Sequence, residues 1–156
     1  MEQIRYLVMD ADGTLAEDKI CMIEENIGEV KFFSAKDEYG IKNLLIPKGV
    51  IPIVISQSRS TVLEKHCNDM GGIQLYQGIA DKAEFIKLLL RHDQLCVTGY
   101  IGDDEDDYDA MLLVKYAGGV VGCPKNAVRK IKEIADFVST RNGGRGSIRE
   151  FIEWLI

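Results

Sequence analysis

The stretch Ile4-Arg5-Tyr6-Leu7-Val8-Met9-Asp10-Ala11-Asp12-Gly13-Thr14 decides how the rest of the chain is read. Ile4 to Met9 is a short apolar run, and Asp-Ala-Asp-Gly-Thr closes it with turn-forming residues, so the run reads as a buried strand ending in a turn. Outward from it, Val50 to Ile55 repeats the pattern, and Ile73 to Tyr76, Cys96 to Ile101, Gly119 to Gly122 and Phe137 to Val138 supply further strands. Helical stretches separate them: Asp37 to Leu45, Ser60 to Met70, Lys82 to Arg91, Tyr108 to Tyr116, Asn126 to Ala135 and Ser147 to Leu155. Alternation at this spacing predicts an α/β fold of three layers, a parallel sheet with right-handed crossovers and helices on both faces. Two β-prone runs, Ile20 to Ile23 and Val30 to Phe33, joined by a turn containing Gly28, predict a β-hairpin insertion. A length of 156 residues suits a single domain over 1–156.

In an open parallel sheet, ligands bind beyond the carboxyl ends of the strands. The sequence places polar groups there: Asp10 and Asp12 after the first strand, Ser56 after the second, Asp81-Lys82 after the third and its loop, and Gly102-Asp103-Asp104-Glu105-Asp106-Asp107 after the fourth. Asp10 and Asp12, two apart in extended chain, point the same way, and Gly13 lets the backbone turn past them. Carboxylates that close repel each other unless a cation sits between them. Asp103 offers a third oxygen donor, and hard oxygen donors with room for water suit Mg²⁺. Lys82 is the balancing cation, able to neutralise an incoming phosphate, while the Ser56 hydroxyl and loop amides bond phosphate oxygens. A carboxylate can itself attack phosphorus to form an aspartyl phosphate, and Asp12 can protonate the leaving alkoxide and then activate water. Alone, Asp-x-Asp is a common turn device, and the acidic run suits a helix N-terminus or a solvated loop. The order Asp-x-Asp, Ser, Lys, Gly-Asp-Asp, each at its own strand end, is far more specific than any member.

Composition removes other classes. The 19 Lys plus Arg against 25 Asp plus Glu leave a net charge of −6, whereas a nucleic-acid surface needs a basic stripe. The longest apolar runs reach about a third of the roughly 20 residues a membrane span requires. Cys21, Cys67, Cys96 and Cys123 form no CxxC pair, which disfavours structural zinc and predicts buried thiols in a reducing compartment. Asp10 falls in the first apolar stretch and no small-residue cleavage site follows, so no signal peptide is read and a cytoplasmic location is expected.

The segments DADGTL, VISQS, ADK and GDDEDD resemble motifs one to four of the haloacid dehalogenase superfamily. FSAKDEYGIKNLL, LYQGIADK, YIGDDEDDYDAM and NGGRGSIREF extend the resemblance nearly end to end. They resemble the small capless phosphatases of sugar-acid phosphates, among them the 3-deoxy-octulosonate 8-phosphate and acylneuraminate (nonulosonate) 9-phosphate phosphatases. The resemblance implies a Rossmann-like sheet without a cap domain and a Mg²⁺-dependent phosphatase. It further implies Asp10 as nucleophile, Asp12 as acid and base, Ser56 as phosphate hydroxyl and Lys82 as clamp on phosphate and nucleophile. Asp103 would hold the metal with Asp10 and the Asp12 backbone carbonyl, with Asp104 and Asp107 behind these ligands.

The 44 residues from Asp12 to Ser56 and the 21 from Lys82 to Asp103 leave no room for a cap. In the resembling family the hairpin drives tetramer assembly and a neighbouring subunit closes the site, so a homo-oligomer, a tetramer, is expected. The chain reaches only Ile156, directly after its last helix, so the longer tail of some relatives is expected to be missing. Where that family has Thr-Gly-Arg or Thr-Gly-Glu, this chain has Ser56-Gln57-Ser58-Arg59. The hydroxyl is kept, but Ser58 replaces the charged residue that helps distinguish sugar acids, with Arg59 beside it. Arg145 is a second candidate for a substrate carboxylate, or a solvated arginine at a helix entry. Two rivals are a receiver-type signalling domain, whose phosphorylated Asp ends a later strand where this chain has Ser56, and a non-catalytic phosphatase-like oligomerisation module. Retention of Asp10, Asp12, Lys82 and Asp103 argues against the latter.

Overall fold

The computed structural model describes residues 3–20 and 28–156. Six strands, β1 (Tyr6–Asp10), β2 (Ile51–Ile55), β3 (Gln74–Tyr76), β4 (Thr98–Ile101), β5 (Val120–Cys123) and β6 (Phe137–Val138), form one sheet in the order β3-β2-β1-β4-β5-β6. Every pairing is parallel. The helices are α1 (Ala35–Tyr39), α2 (Thr61–Met70), α3 (Lys82–Leu89), α4 (His92–Leu95), α5 (Glu105–Tyr116), α6 (Arg129–Ile134) and α7 (Ser147–Leu155). Alternation along β1 assigns the two faces. Leu7 and Met9 join a core with Ile41, Leu63, Ile148 and Phe151, which belong to α1's continuation, α2 and α7. Val8 joins Ile86, Met111, Val114 and Ile131 from α3, α5 and α6. Both faces of a parallel sheet are covered, which is why its strands are continuous apolar runs.

Several boundaries differ from the sequence reading. The helix expected over Asp37 to Leu45 runs from Ala35 to Lys48, passing from α1 through a π turn (Gly40–Leu45) and a 3₁₀ turn (Ile46–Lys48) before Gly49 ends it. The helix expected from Lys82 to Arg91 stops at Leu89, and α4 follows separately. α5 starts at Glu105 rather than Tyr108, because Asp104 caps it and the acidic residues Glu105, Asp106 and Asp107 in its first turn complement the helix dipole. Of the expected hairpin, Ile20 to Ile23 with Val30 to Phe33, residues 21–27 lie outside the described residues. Its base is present as an antiparallel bridge between Ala16 and Phe33, with Glu17 N donating to Phe32 O at 3.1 Å. No cap intervenes among the described residues: the chain passes from Phe33 to Ser56 through one helical run and β2, and from Lys82 to Asp103 through α3, α4 and β4.

Register sets the site. Asp10 lies opposite Ile55 and Met9 opposite Ile101, so Asp10, Ser56 and Gly102-Asp103 leave the sheet side by side at its carboxyl edge.

Candidate active site

A cleft of about 780 Å³ opens at this edge, and Asp10, Asp12, Ser56 and Asp103 line it. Asp10 is buried at the end of β1. On one side its Oδ1 accepts from Lys82 Nζ at 2.6 Å. On the other stands the Asp103 carboxyl, near enough for each to raise or lower the other's affinity for a proton. Burial, and next the Asp107 charge, push the Asp10 carboxyl well above the ordinary carboxylate range against the pull of Lys82. Burial likewise pushes Asp103 up to about 6.

Two buried carboxyls at neighbouring strand ends form a place for a cation. The Asp103 carboxylate is oriented by Thr14 Oγ1, which donates to Oδ1 at 3.1 Å. Gly13, at φ 90°, brings the main chain so close that a Cβ there would lie 2.0 Å from Asp103 Oδ2. These hard oxygens, beside a glycine that adds no side chain, fit Mg²⁺. A second acidic group, Asp10, Asp106 and Asp107, also brings its carboxylates together. The Lys82 ammonium already lies among these three, at 2.6, 2.9 and 2.9 Å, so its lysine takes the place of a metal. Burial alone would lower the Lys82 pKa, but Asp10 and Asp107 outweigh it and raise it.

Asp107 is the hub behind this pair. Its Oδ1 accepts from Lys82 and, at 2.7 Å, from the buried Tyr100 hydroxyl, and its Oδ2 accepts from Asp103 N at 3.0 Å. It therefore fixes the lysine and the turn carrying Asp103 together. Asp104 caps α5, its Oδ1 accepting from Glu105 N at 2.7 Å.

The sequence placed Asp10 and Asp12 on a common cation, whereas their carboxylates have different partners, because the chain turns immediately after β1. Asp12 Oδ1 accepts from Lys31 Nζ at 2.6 Å and Oδ2 from Ser58 Oγ at 3.1 Å. Ser58 Oγ lies 3.3 Å from Ser56 Oγ, so the residue standing at the expected specificity position faces Asp12. Arg59 lines the cleft. Arg145 does not; it pairs with Glu17 Oε1 at 2.8 Å. Lys31, Thr14, Tyr100 and Asp106 were missed by sequence reasoning. Thr14 and Asp106 stood inside quoted motifs without a signal of their own, and Tyr100 reads as an ordinary core aromatic.

A buried carboxylate between a fixed ammonium and a metal-competent carboxylate, with a second carboxylate and a hydroxyl across the cleft, can perform nucleophilic attack on phosphorus with proton transfer. No protein-family model matches the chain. It is 31% identical, over 99% of its length and 80% of the relative's, to the 3-deoxy-D-manno-octulosonate 8-phosphate phosphatase of Salmonella typhi. The Moraxella catarrhalis phosphatase of that name, solved with magnesium, phosphate and KDO, superposes with a TM-score of 0.87 at 27% identity, covering 97% of this chain and 85% of its own. The cobalt-bound Haemophilus influenzae phosphatase gives 0.82 at 28% identity, covering 99% and 88%.

Proposed function

This chain belongs to the 3-deoxy-D-manno-octulosonate 8-phosphate phosphatase family of the haloacid dehalogenase superfamily, and from that membership we propose a Mg²⁺-dependent phosphatase of a sugar-acid phosphate monoester. The substrate class is octulosonate 8-phosphate or nonulosonate 9-phosphate. The observation that carries the reading is Asp10, buried between Lys82 and Asp103. A non-catalytic assembly module is not favoured, since it has no use for a buried ammonium beside a carboxylate at the open edge of a sheet.

The substrate phosphate sits at the mouth of the site, with the Ser56 hydroxyl and loop amides on its oxygens and Lys82 neutralising its charge. Asp10 attacks phosphorus; the Asp10 Oδ–P bond forms as the ester P–O bond breaks, and Asp12 gives a proton to the departing oxygen. Water then attacks phosphorus while Asp12 accepts its proton, the P–O bond to Asp10 breaks, and inorganic phosphate leaves. Asp10, Asp103 and the Asp12 main-chain carbonyl would hold Mg²⁺, which when bound supplies positive charge against the phosphoryl oxygens.

The residues 1–156 act as one catalytic domain, placed in the cytoplasm; the free, buried thiols of Cys67 and Cys123, each pushed up to about 11 by burial, suit a reducing compartment. A homotetramer built through the hairpin is the assembly this reading carries. It is supported by apolar side chains beside the cleft that face solvent, Ile20 at 87% and Phe32 at 56% exposure.

Phosphate release from octulosonate 8-phosphate tests the proposal. Turnover is expected to vanish with EDTA, to return with Mg²⁺, and to be absent in Asp10→Asn, whose amide can neither attack phosphorus nor balance a metal. Chelation-resistant turnover, or an active Asp10→Asn, overturns it.

A further inference from the structure

Asp12 is half exposed, with 46% of its side chain open to solvent, yet each of its oxygens is held. The partners differ in kind. Lys31 makes a charge-assisted bond of 2.6 Å to Oδ1, and Ser58 a neutral, longer bond of 3.1 Å to Oδ2. Lys31 is itself fixed: its side chain is only 12% exposed, and Nζ also pairs with Glu29 Oε1 at 3.0 Å. The other Glu29 oxygen accepts from Ser60 Oγ at 2.5 Å, and Ser60 caps α2 by accepting from Leu63 N. A continuous set of bonds thus runs from the cap of α2 through Glu29 and Lys31 to Asp12. Burial opposes the Lys31 charge, and its bonds to Asp12 and Glu29 outweigh that cost and raise its pKa. This lysine is a committed cation and is not spare for a substrate.

We propose that Lys31 is a positioning residue for the proton-transfer carboxylate: it tethers Asp12 Oδ1 so that Oδ2, held among the described residues by the Ser58 hydroxyl alone, is the oxygen that meets the leaving group. The role rests on the phosphatase reading above. During the first step the bond from Asp10 to phosphorus forms, the ester P–O bond breaks, and the proton passes from Asp12 Oδ2 to the departing oxygen, which takes the place of Ser58. Negative charge develops on the Asp12 carboxylate as the proton leaves, and the ammonium at Oδ1 stabilises it. During the second step the attacking water returns a proton to the same Oδ2. Lys31 and Glu29 stand on the return side of the segment read as a hairpin, so that insertion contributes to the chemistry of its own subunit.

An ion pair of merely structural value would hold the fold and affect every substrate alike. Leaving-group dependence separates the two roles, because p-nitrophenolate departs without a proton and an alkoxide does not. Mg²⁺-loaded protein in excess over substrate, in single turnovers, reports release of the leaving group alone. With Lys31→Met, release from octulosonate 8-phosphate should slow by about tenfold or more beyond any slowing of p-nitrophenolate release from its phosphate, within the range general acids contribute. Lys31→Arg should recover most of that difference, since it restores a cation at Oδ1. The p-nitrophenolate signal of Lys31→Met also shows that the variant has a folded site. Equal slowing on both esters, or no slowing on the alkyl ester, overturns the proposal. Wild-type protein that cleaves neither ester overturns the phosphatase reading before any variant is made.

Discussion

Arg59 lines the cleft and has no ion pair among the described residues, while Lys19 is held by Glu17, Lys31 by Asp12 and Glu29, and Lys82 by three carboxylates. A substrate carboxylate in this cleft therefore meets one uncommitted cation among those residues. Arg59→Gln should raise KM for a carboxylated sugar phosphate by on the order of 1.5 to 3 kcal/mol, the loss of a charge-assisted bond. Steady-state kinetics on p-nitrophenyl phosphate should show a much smaller change, and equal losses on both would assign Arg59 to phosphate. Arg145→Gln should alter neither, since Arg145 lies outside the cleft on Glu17. Which arginine faces the cleft was not legible in the sequence, because both were candidates by chain position alone. Asp10, Ser56, Lys82 and Asp103 were legible, since Asp10 ends a strand, the others follow one directly or after a short loop, and parallel register brings strand ends together. Lys31 was not: its contact with Asp12 depends on how the chain returns after residue 27, and no local pattern records a return path.

At the scale of elements, the loop 142–146 braces the loop that carries Asp12. Gly144 N donates to Thr14 O at 2.8 Å, and Gly143 N to Asn126 Oδ1 at 3.0 Å. Gly143 packs so tightly that a Cβ there would lie 1.7 Å from Gly13 O. Gly143→Ala must therefore push the two loops apart, with a stability loss of about 2 kcal/mol or more in urea unfolding and a matching fall in turnover. A second tie anchors the same loop: buried Asp37 in α1 accepts from Gly146 N at 3.3 Å and Arg149 N at 2.8 Å, capping α7 from a distant element. Burial pushes the Asp37 carboxyl up to about 6, above the ordinary value near 3.8 that it has when unfolded. The folded state thus binds this proton more tightly, so the Asp37 share of stability is greatest below pH about 4 and falls as pH rises toward about 6. Urea midpoints of metal-free Asp37→Asn across that window should decline less steeply than those of the wild type. Strands and helices were visible as apolar runs, but the ties to Thr14 and Asp37 join residues more than 100 apart in sequence and leave no periodic trace.

Taken whole, the described residues include two strongly exposed apolar side chains near the cleft, Ile20, which lines it, and Phe32. Light scattering at micromolar concentration should give a mass well above the 17.5 kDa of one chain. A clean monomer with full activity would refute both the assembly and a neighbour's part in closing the site. The tight seat of Gly143 against Gly13 also bears on synthesis. Gly13 leaves the ribosome 130 residues before Gly143 does, which at roughly 5 to 20 residues per second is on the order of ten seconds. Throughout that interval the nascent chain carries its acidic loop without the partner that holds it in shape. The first segment of the site to be made is thus among the last to be braced, and its final shape waits on the late loop closing against the early one.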